Sequence, residues 1–140
     1  MLRVSGILET ALTVADVQRS ADFYRRLFGF ATLLDSDRLV VFNVADRHVL
    51  LLFAAGATGD PVETAGGVIP PHNASGQSHL AFSIEAAEAA AWEQRLAAEG
   101  IALESVVDWP GGARSLYFRD PDAHLVELVT PGLWPLAAAE

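Results

Sequence analysis

The segment ETALTV at residues 9–14 recurs in a related form, HLAFSI, at residues 79–84. The two segments share alanine at their third position and carry matching apolar or hydroxyl side chains at each later position. In both, bulky side chains alternate with smaller ones, which is the period of a strand with one buried face. This internal similarity predicts two copies of one module, each beginning with this strand.

Local signals indicate the elements that follow the first strand. Asp16 can cap a helix whose apolar residues recur at helical spacing, and Gly29 is placed to end that helix. Three β-rich stretches follow, at residues 31–34, 39–44 and 48–53. The first half of the chain therefore predicts the element order βαβββ.

The same element order recurs in the second half of the chain. A strand at residues 77–84 precedes a helix at residues 86–99, and Gly100 follows that helix as Gly29 follows the first. The remaining β-rich stretches lie at residues 101–107, 115–119 and 125–129.

These elements predict an α+β fold in which two tandem βαβββ modules form a single domain. The modules cover about residues 5–54 and 77–130. A segment rich in Gly, Pro and Thr at residues 55–76 joins them, either as a plain linker or as an ordered loop over a site. Residues 131–140 form a C-terminal tail.

Composition narrows the classes of function that are possible. The chain has 140 residues and no cysteine, which excludes disulfides, a thiol nucleophile and cysteine-ligated zinc. A net charge of −9 disfavours binding to nucleic acid or anionic lipid. No apolar run approaches the roughly 20 residues that span a bilayer. We expect a cytoplasmic protein without nucleic-acid or membrane partners.

The segment SLYFRDPDAHLVEL at residues 115–128, together with the paired modules, resembles the vicinal oxygen chelate superfamily. This superfamily includes glyoxalase I, fosfomycin- and bleomycin-resistance proteins, methylmalonyl-CoA epimerase and extradiol dioxygenases. The resemblance implies that the two modules curl into a half-open barrel around a divalent metal ion. It also implies that the ligands come from the first and last strands of the modules.

The resemblance implies a metal site when its ligand positions are carried over to this chain. The first-strand positions are Glu9 and His79, and the last-strand positions are Leu51 and Glu127. Leu51 cannot bind a metal, so the expected ligands are Glu9, His79 and Glu127. Two carboxylates and one imidazole suit Zn, Mn, Mg, Ni or Fe(II). The alternatives are a site that has lost its metal, or a solvated glutamate and a satisfied core histidine.

The resemblance also indicates residues that act on the substrate. Tyr117 stands where extradiol members keep an active-site tyrosine, although it could equally be a packed core residue. Glu127 could move a proton as well as bind metal. Trp109, Arg114 and His72 lie in loops that flank the expected mouth of the barrel, and His72 could instead be a solvated loop residue.

Two further histidines, His48 and His124, follow turns and point away from the ligand positions, so we interpret them as structural.

The resemblance implies a homodimer. Unpaired strand edges and the apolar tail around Trp134 favour the same assembly.

Two functions of different classes follow from the resemblance. In the first, the metal acts as a Lewis acid on a small oxygen-chelating substrate, in a lyase, isomerase or dioxygenase reaction. The alternative is a metal-free module that binds or sequesters a small molecule, as bleomycin-resistance proteins do. The fold hosts both activities, so the fold alone does not choose between them.

Overall fold

The computed structural model describes residues 1–137, so the last three residues of the expected tail lie outside the described part of the chain. The chain divides into two compact units, which we call unit 1 (Met1–Gly76) and unit 2, which begins at Gln77. Each unit contains a four-stranded sheet and one α-helix. None of the described helices is long and apolar enough to cross a membrane.

Unit 1 has the expected βαβββ order. Its first strand and helix are followed by three antiparallel strands, and the strand order in the sheet is first, fourth, third, second. The first and fourth strands run parallel. The elements are β1 (Glu9–Val14), α1 (Val17–Phe28), β2 (Thr32–Asp35), β3 (Leu39–Val44) and β4 (His48–Ala54).

Local chemistry explains the bounds of α1. The Asp16 side chain accepts a hydrogen bond from the backbone N–H of Arg19 at 3.0 Å, which satisfies one of the otherwise unpaired donors of the first turn. Gly29 ends the helix with φ 68°, a left-handed conformation that costs glycine little. Both caps confirm the expectation from the sequence.

The core of unit 1 lies between α1 and one face of the sheet. The helix contacts β3 and β4. Strand alternation sends every second side chain to this face, which explains the period of two among the buried residues of β1 and β3, whereas residues 50–53 of β4 are all buried. The buried residues include Ala21, Tyr24 and Leu27 on the helix, and Leu12, Val14, Val40, Phe42, Leu50 and Leu52 on the sheet.

The segment expected to lack regular structure contains a short hairpin. Strands β5 (Val62–Thr64) and β6 (Gly67–Ile69) pair antiparallel as a separate two-stranded sheet. The Thr64 hydroxyl donates to the carbonyl oxygen of Gly67 at 2.7 Å, which closes the turn. Strands of three residues are too short to show alternation in a sequence.

Unit 2 repeats the arrangement of unit 1, with strand order β7–β10–β9–β8 and a parallel pairing of β7 with β10. The α+β fold class and the paired βαβββ modules are therefore confirmed. The elements are β7 (His79–Ser83), a 3-10 turn (Ala86–Glu88), α2 (Ala89–Ala98), β8 (Ser105–Asp108), β9 (Arg114–Arg119) and β10 (Leu125–Val129).

The second helix is shorter than expected. Its first residues form a 3-10 turn, and neither that turn nor α2 receives a side-chain cap. Ala and Glu precede the helix where Asp16 precedes α1, which explains the weaker start. Leu96 is fully buried, whereas Trp92 is half-buried.

The strand registers repeat between the two units. Paired positions are Glu9 with Val49 and Ala11 with Leu51 in unit 1, and His79 with Leu125 and Ala81 with Glu127 in unit 2. Glu9 therefore takes in unit 1 the position that His79 takes in unit 2. Leu51 likewise takes the position of Glu127, which confirms the sequence alignment of the modules.

Candidate metal and substrate site

His79 and Glu127 come together on one face of the unit 2 sheet. They lie on the adjacent parallel strands β7 and β10, and His79 Nε2 is 3.2 Å from Glu127 Oε1. The His79 side chain is 49% exposed, whereas the Glu127 side chain is only 6% exposed. A carboxylate buried to this extent needs hydrogen bonds or a positive charge beside it.

The tautomer of His79 follows from its second ring contact. His79 Nδ1 lies 2.9 Å from the backbone oxygen of Leu125. A carbonyl oxygen only accepts, so Nδ1 carries the hydrogen and donates it. In the neutral ring, the lone pair on Nε2 then faces Glu127 Oε1. Two acceptors at this distance repel each other unless a proton or a cation lies between them.

The pair fits the divalent metal ion that the fold family implies. Ligand atoms at about 2.1 Å from one ion, with ligand–metal–ligand angles of about 90 to 109°, are about 3.0 to 3.4 Å apart. The observed 3.2 Å falls in this range. Metal-binding histidines also commonly donate their other ring N–H to a carbonyl oxygen, as His79 does to Leu125.

A chain of hydrogen bonds supports the second carboxylate oxygen of Glu127. The hydroxyl of Ser115, on β9, donates to Glu127 Oε2 at 2.6 Å, and Trp109 Nε1 donates to Ser115 Oγ at 2.9 Å. Ser115 is completely buried. These hydrogen bonds satisfy Oε2 within the protein and leave Oε1 facing His79.

Tyr117 lies directly opposite Glu127 in the β9–β10 register. Its ring centroid is 6.3 Å from that of His79. Burial, followed by the negative charge of Glu127, raises the pKa of the Tyr117 phenol above its ordinary value of 10.0. The phenol is therefore protonated at neutral pH and can donate a hydrogen bond to an oxygen beside the pair.

Glu9 lies in unit 1, on β1, and its side chain is exposed. Within residues 1–137, no group of three or more His, Asp or Glu side chains is arranged to hold a metal ion. Of the three expected ligands, His79 and Glu127 lie next to each other in unit 2. Metal binding by these two residues and by Glu9 stays a prediction.

The other residues expected to bind substrate have partners of their own. Arg114, expected in a loop, is the first residue of strand β9, where pairing with β8 extends to it. It donates to Glu93 at 2.8 Å and to Asp108 at 2.7 Å. These hydrogen bonds, the one to Asp108 first, raise the pKa of Arg114. A substrate contact by Arg114 stays a prediction, and it would compete with both carboxylates. Trp109 contributes its indole N–H to the Ser115 chain.

His72 lies in unit 1 beside an aromatic ring of β4. Its imidazole meets the ring of Phe53 edge to face, with centroids 5.1 Å apart. Its backbone N–H donates to the carbonyl oxygen of Thr58 at 2.9 Å. The imidazole is therefore positioned by packing, and its contact with substrate stays a prediction.

The histidines interpreted as structural both bind the backbone just before a first strand. His124 is buried, and its Nδ1 accepts from the backbone N–H of Ser78 at 2.9 Å. His48 Nδ1 donates to the carbonyl oxygen of Ile7 at 2.7 Å. These contacts are consistent with the structural interpretation.

Sequence reasoning missed the hydrogen-bond partners of the pair. Period-two alternation places Ser115 on the face of Tyr117, so the presence of a hydroxyl there could be expected. Nothing in the sequence indicates that this hydroxyl contacts Glu127, or that Trp109 contacts the hydroxyl. These contacts depend on the pairing of β9 with β10 and on the course of the turn that follows β8.

Comparison with known proteins agrees with this architecture. The chain is 27% identical over 131 residues to the metallothiol transferase FosB of Shouchella clausii, covering 91% of this chain and 81% of that protein. It is 28% identical over 128 residues to FosB of Staphylococcus saprophyticus, covering 91% and 78%.

A solved structure is also similar. The lactoylglutathione lyase of Agrobacterium tumefaciens matches with a TM-score of 0.85 and 36% identity, covering 95% of this chain and 98% of that chain. The model of the Glyoxalase/Bleomycin resistance protein/Dioxygenase superfamily matches residues 6–128. With its paired βαβββ modules, the chain therefore belongs to this superfamily.

Proposed function

We propose that the protein is a metal-dependent enzyme in which His79, Glu127 and Glu9 hold a divalent ion that binds a small oxygen-bearing substrate. The observation that carries the proposal is the 3.2 Å contact between His79 Nε2 and Glu127 Oε1. Two such acceptors side by side, one of them buried, need a proton or a cation between them. A shared divalent ion would supply that charge, and metal content distinguishes it from a proton on Nε2.

The names of the relatives support the same class of chemistry. One group is named metallothiol transferase and the similar solved structure is named lactoylglutathione lyase. Both names refer to a thiol compound or a thiol adduct. We propose a substrate of this kind, with neighbouring oxygens available to the metal, in a lyase, isomerase or transfer reaction.

The residues of unit 2 would act as follows. The ion, when bound, supplies Lewis acidity to a substrate oxygen. Ser115 holds Glu127 Oε2, so the carboxylate keeps one orientation, and Leu125 fixes the ring of His79. The protonated phenol of Tyr117 would donate a hydrogen bond to a substrate oxygen as negative charge develops there. Glu127 would accept a proton from the bound substrate and return it to the substrate.

Metal content tests the proposal directly. We expect purified protein, reconstituted with Zn, Mn, Ni, Mg or Fe(II) and dialysed, to retain about one divalent ion per chain, because His79 and Glu127 converge on one position. Mass spectrometry with and without chelator measures this ratio. Failure to retain any of these ions would contradict the metalloenzyme and favour the metal-free binding module.

We also propose that the protein forms a homodimer. The exposed apolar side chains of residues 1–8 and Trp134, which is 69% exposed, support burial against a second copy. We expect light scattering at micromolar concentration to give roughly twice the chain mass. A monomer that still binds one ion would contradict the dimer. Mixing Glu9→Ala with His79→Ala protein would restore metal binding only if a site takes ligands from both chains.

A further inference from the structure

Arg38 of unit 1 is a positioned arginine without an acidic partner in the described part of the chain. Arg25, Arg114 and Arg119 each bind at least one carboxylate. Arg38, by contrast, makes no ion pair among residues 1–137, and its contacts are to a carbonyl oxygen and an aromatic ring.

Two contacts hold the guanidinium in place. Arg38 Nε donates to the carbonyl oxygen of Ala57 at 3.1 Å, and Arg38 Cζ lies over the Phe53 ring, 5.6 Å from its centroid. The backbone is also held, because Ala54 N–H donates to the carbonyl oxygen of Arg38 at 2.9 Å. The side chain is half-buried. Its terminal amino groups have no hydrogen-bond acceptor among the described residues.

A second nitrogen-bearing side chain meets the same ring. The imidazole of His72 contacts Phe53 edge to face, with centroids 5.1 Å apart, while the guanidinium of Arg38 covers it. Both residues are tied to the turn after β4, through the carbonyl oxygens of Ala57 and Thr58. A guanidinium and an imidazole therefore both contact the Phe53 ring.

The position of this cluster on the sheet is defined by strand register. Phe53 pairs with Thr13, and Val49 pairs with Glu9, so Phe53 and Glu9 are on the same face of the unit 1 sheet. Thr13 is four positions after Glu9, which corresponds to about 13 Å along the strand. The cluster thus lies at one end of this face and Glu9 at the other.

We propose that Arg38, Phe53 and His72 form a subsite for an oxyanion, the carboxylate or phosphate group of a small ligand. The planar guanidinium can donate to such a group through two parallel N–H bonds, and its contacts with Ala57 and Phe53 restrict its position. The imidazole offers a further donor. Identifying this anion as part of the substrate rests on the proposed function, whereas anion binding itself requires no metal.

The test uses the full-length protein stripped of metal by chelator and dialysed. Orthophosphate and succinate are titrated separately at constant ionic strength, and binding is followed by calorimetry and by the NMR signal of the Arg38 Nε–H. We expect saturable binding of at least one anion, and the tighter of the two identifies the preferred oxyanion. We expect Arg38→Gln to lower the affinity roughly tenfold or more, because a charge-assisted hydrogen bond is lost.

Two variants separate a subsite from a general charge effect. Arg3→Gln removes the same charge from an exposed position, and we expect unchanged affinity. Phe53→Leu keeps the charge but removes the ring that orients Arg38, and we expect weaker binding with the fold retained by circular dichroism. Equal losses in Arg38→Gln and Arg3→Gln, or no saturable binding by the unmodified protein, would overturn the proposal. Because the protein is stripped of metal before the titration, the anion-binding result does not depend on whether His79 and Glu127 bind a metal ion.

Discussion

Replacing His79 with alanine is expected to lower the affinity for a divalent ion by about 100-fold or more, which calorimetry would record as loss of detectable binding. The imidazole supplies the only nitrogen among the three proposed ligands, and its Nε2 already faces Glu127 Oε1 at 3.2 Å. Removing it leaves the ion with carboxylates alone.

A control histidine lies at the start of β4 in unit 1. His48→Ala removes an exposed imidazole whose Nδ1 binds only the backbone of Ile7, so it should leave metal affinity unchanged. Thermal melting of both variants would show that neither has lost its fold. The same metal affinity in His79→Ala as in the unmodified protein would disprove the proposed site.

Replacing Ser115 with alanine is expected to lower metal affinity by about 10- to 100-fold, the usual effect of losing a group that orients a metal ligand. The hydroxyl donates to Glu127 Oε2 at 2.6 Å, and without it the buried carboxylate loses a donor and can rotate. Competition with a coloured chelator would measure the affinity at neutral pH.

Two further variants locate this effect in the hydrogen-bond chain. Ser83→Ala removes an exposed hydroxyl from β7 and should have no effect on metal affinity. Trp109→Phe keeps an aromatic ring but removes the indole donor to Ser115 Oγ, so a smaller loss than that of Ser115→Ala is expected. Equal metal affinity in Ser115→Ala and Ser83→Ala would mean that the hydrogen bonds from Trp109 through Ser115 do not orient Glu127.

Most of the fold follows from local patterns in the sequence. The bounds of β3 and β10 agree with the stretches expected from alternation, and Asp16 and Gly29 mark the ends of α1. Such patterns are visible because strand alternation and helix capping involve residues close in sequence. The second helix was less well predicted, since its start has no cap to mark it.

The candidate site was predicted less completely. The module repeat and the family resemblance together indicated His79 and Glu127, and the registers of the two sheets confirm that these positions are equivalent to Glu9 and Leu51. The ion pair between Arg114 and Glu93 could not be predicted from the sequence. Glu93 is 21 residues away from Arg114, on α2, and no local pattern relates the two.

The sequence by itself determined which side chains share a sheet face, because alternation follows from the chirality and pleat of any strand. It also determined the absence of cysteine ligands and the excess of negative charge. Only the tertiary structure decided that Ser115 joins Trp109 to Glu127, and that Arg38 lies over Phe53 without a carboxylate partner in the described chain. Contacts of this kind depend on strand pairing, loop course and side-chain rotamers, which packing selects over the whole unit and no short segment encodes.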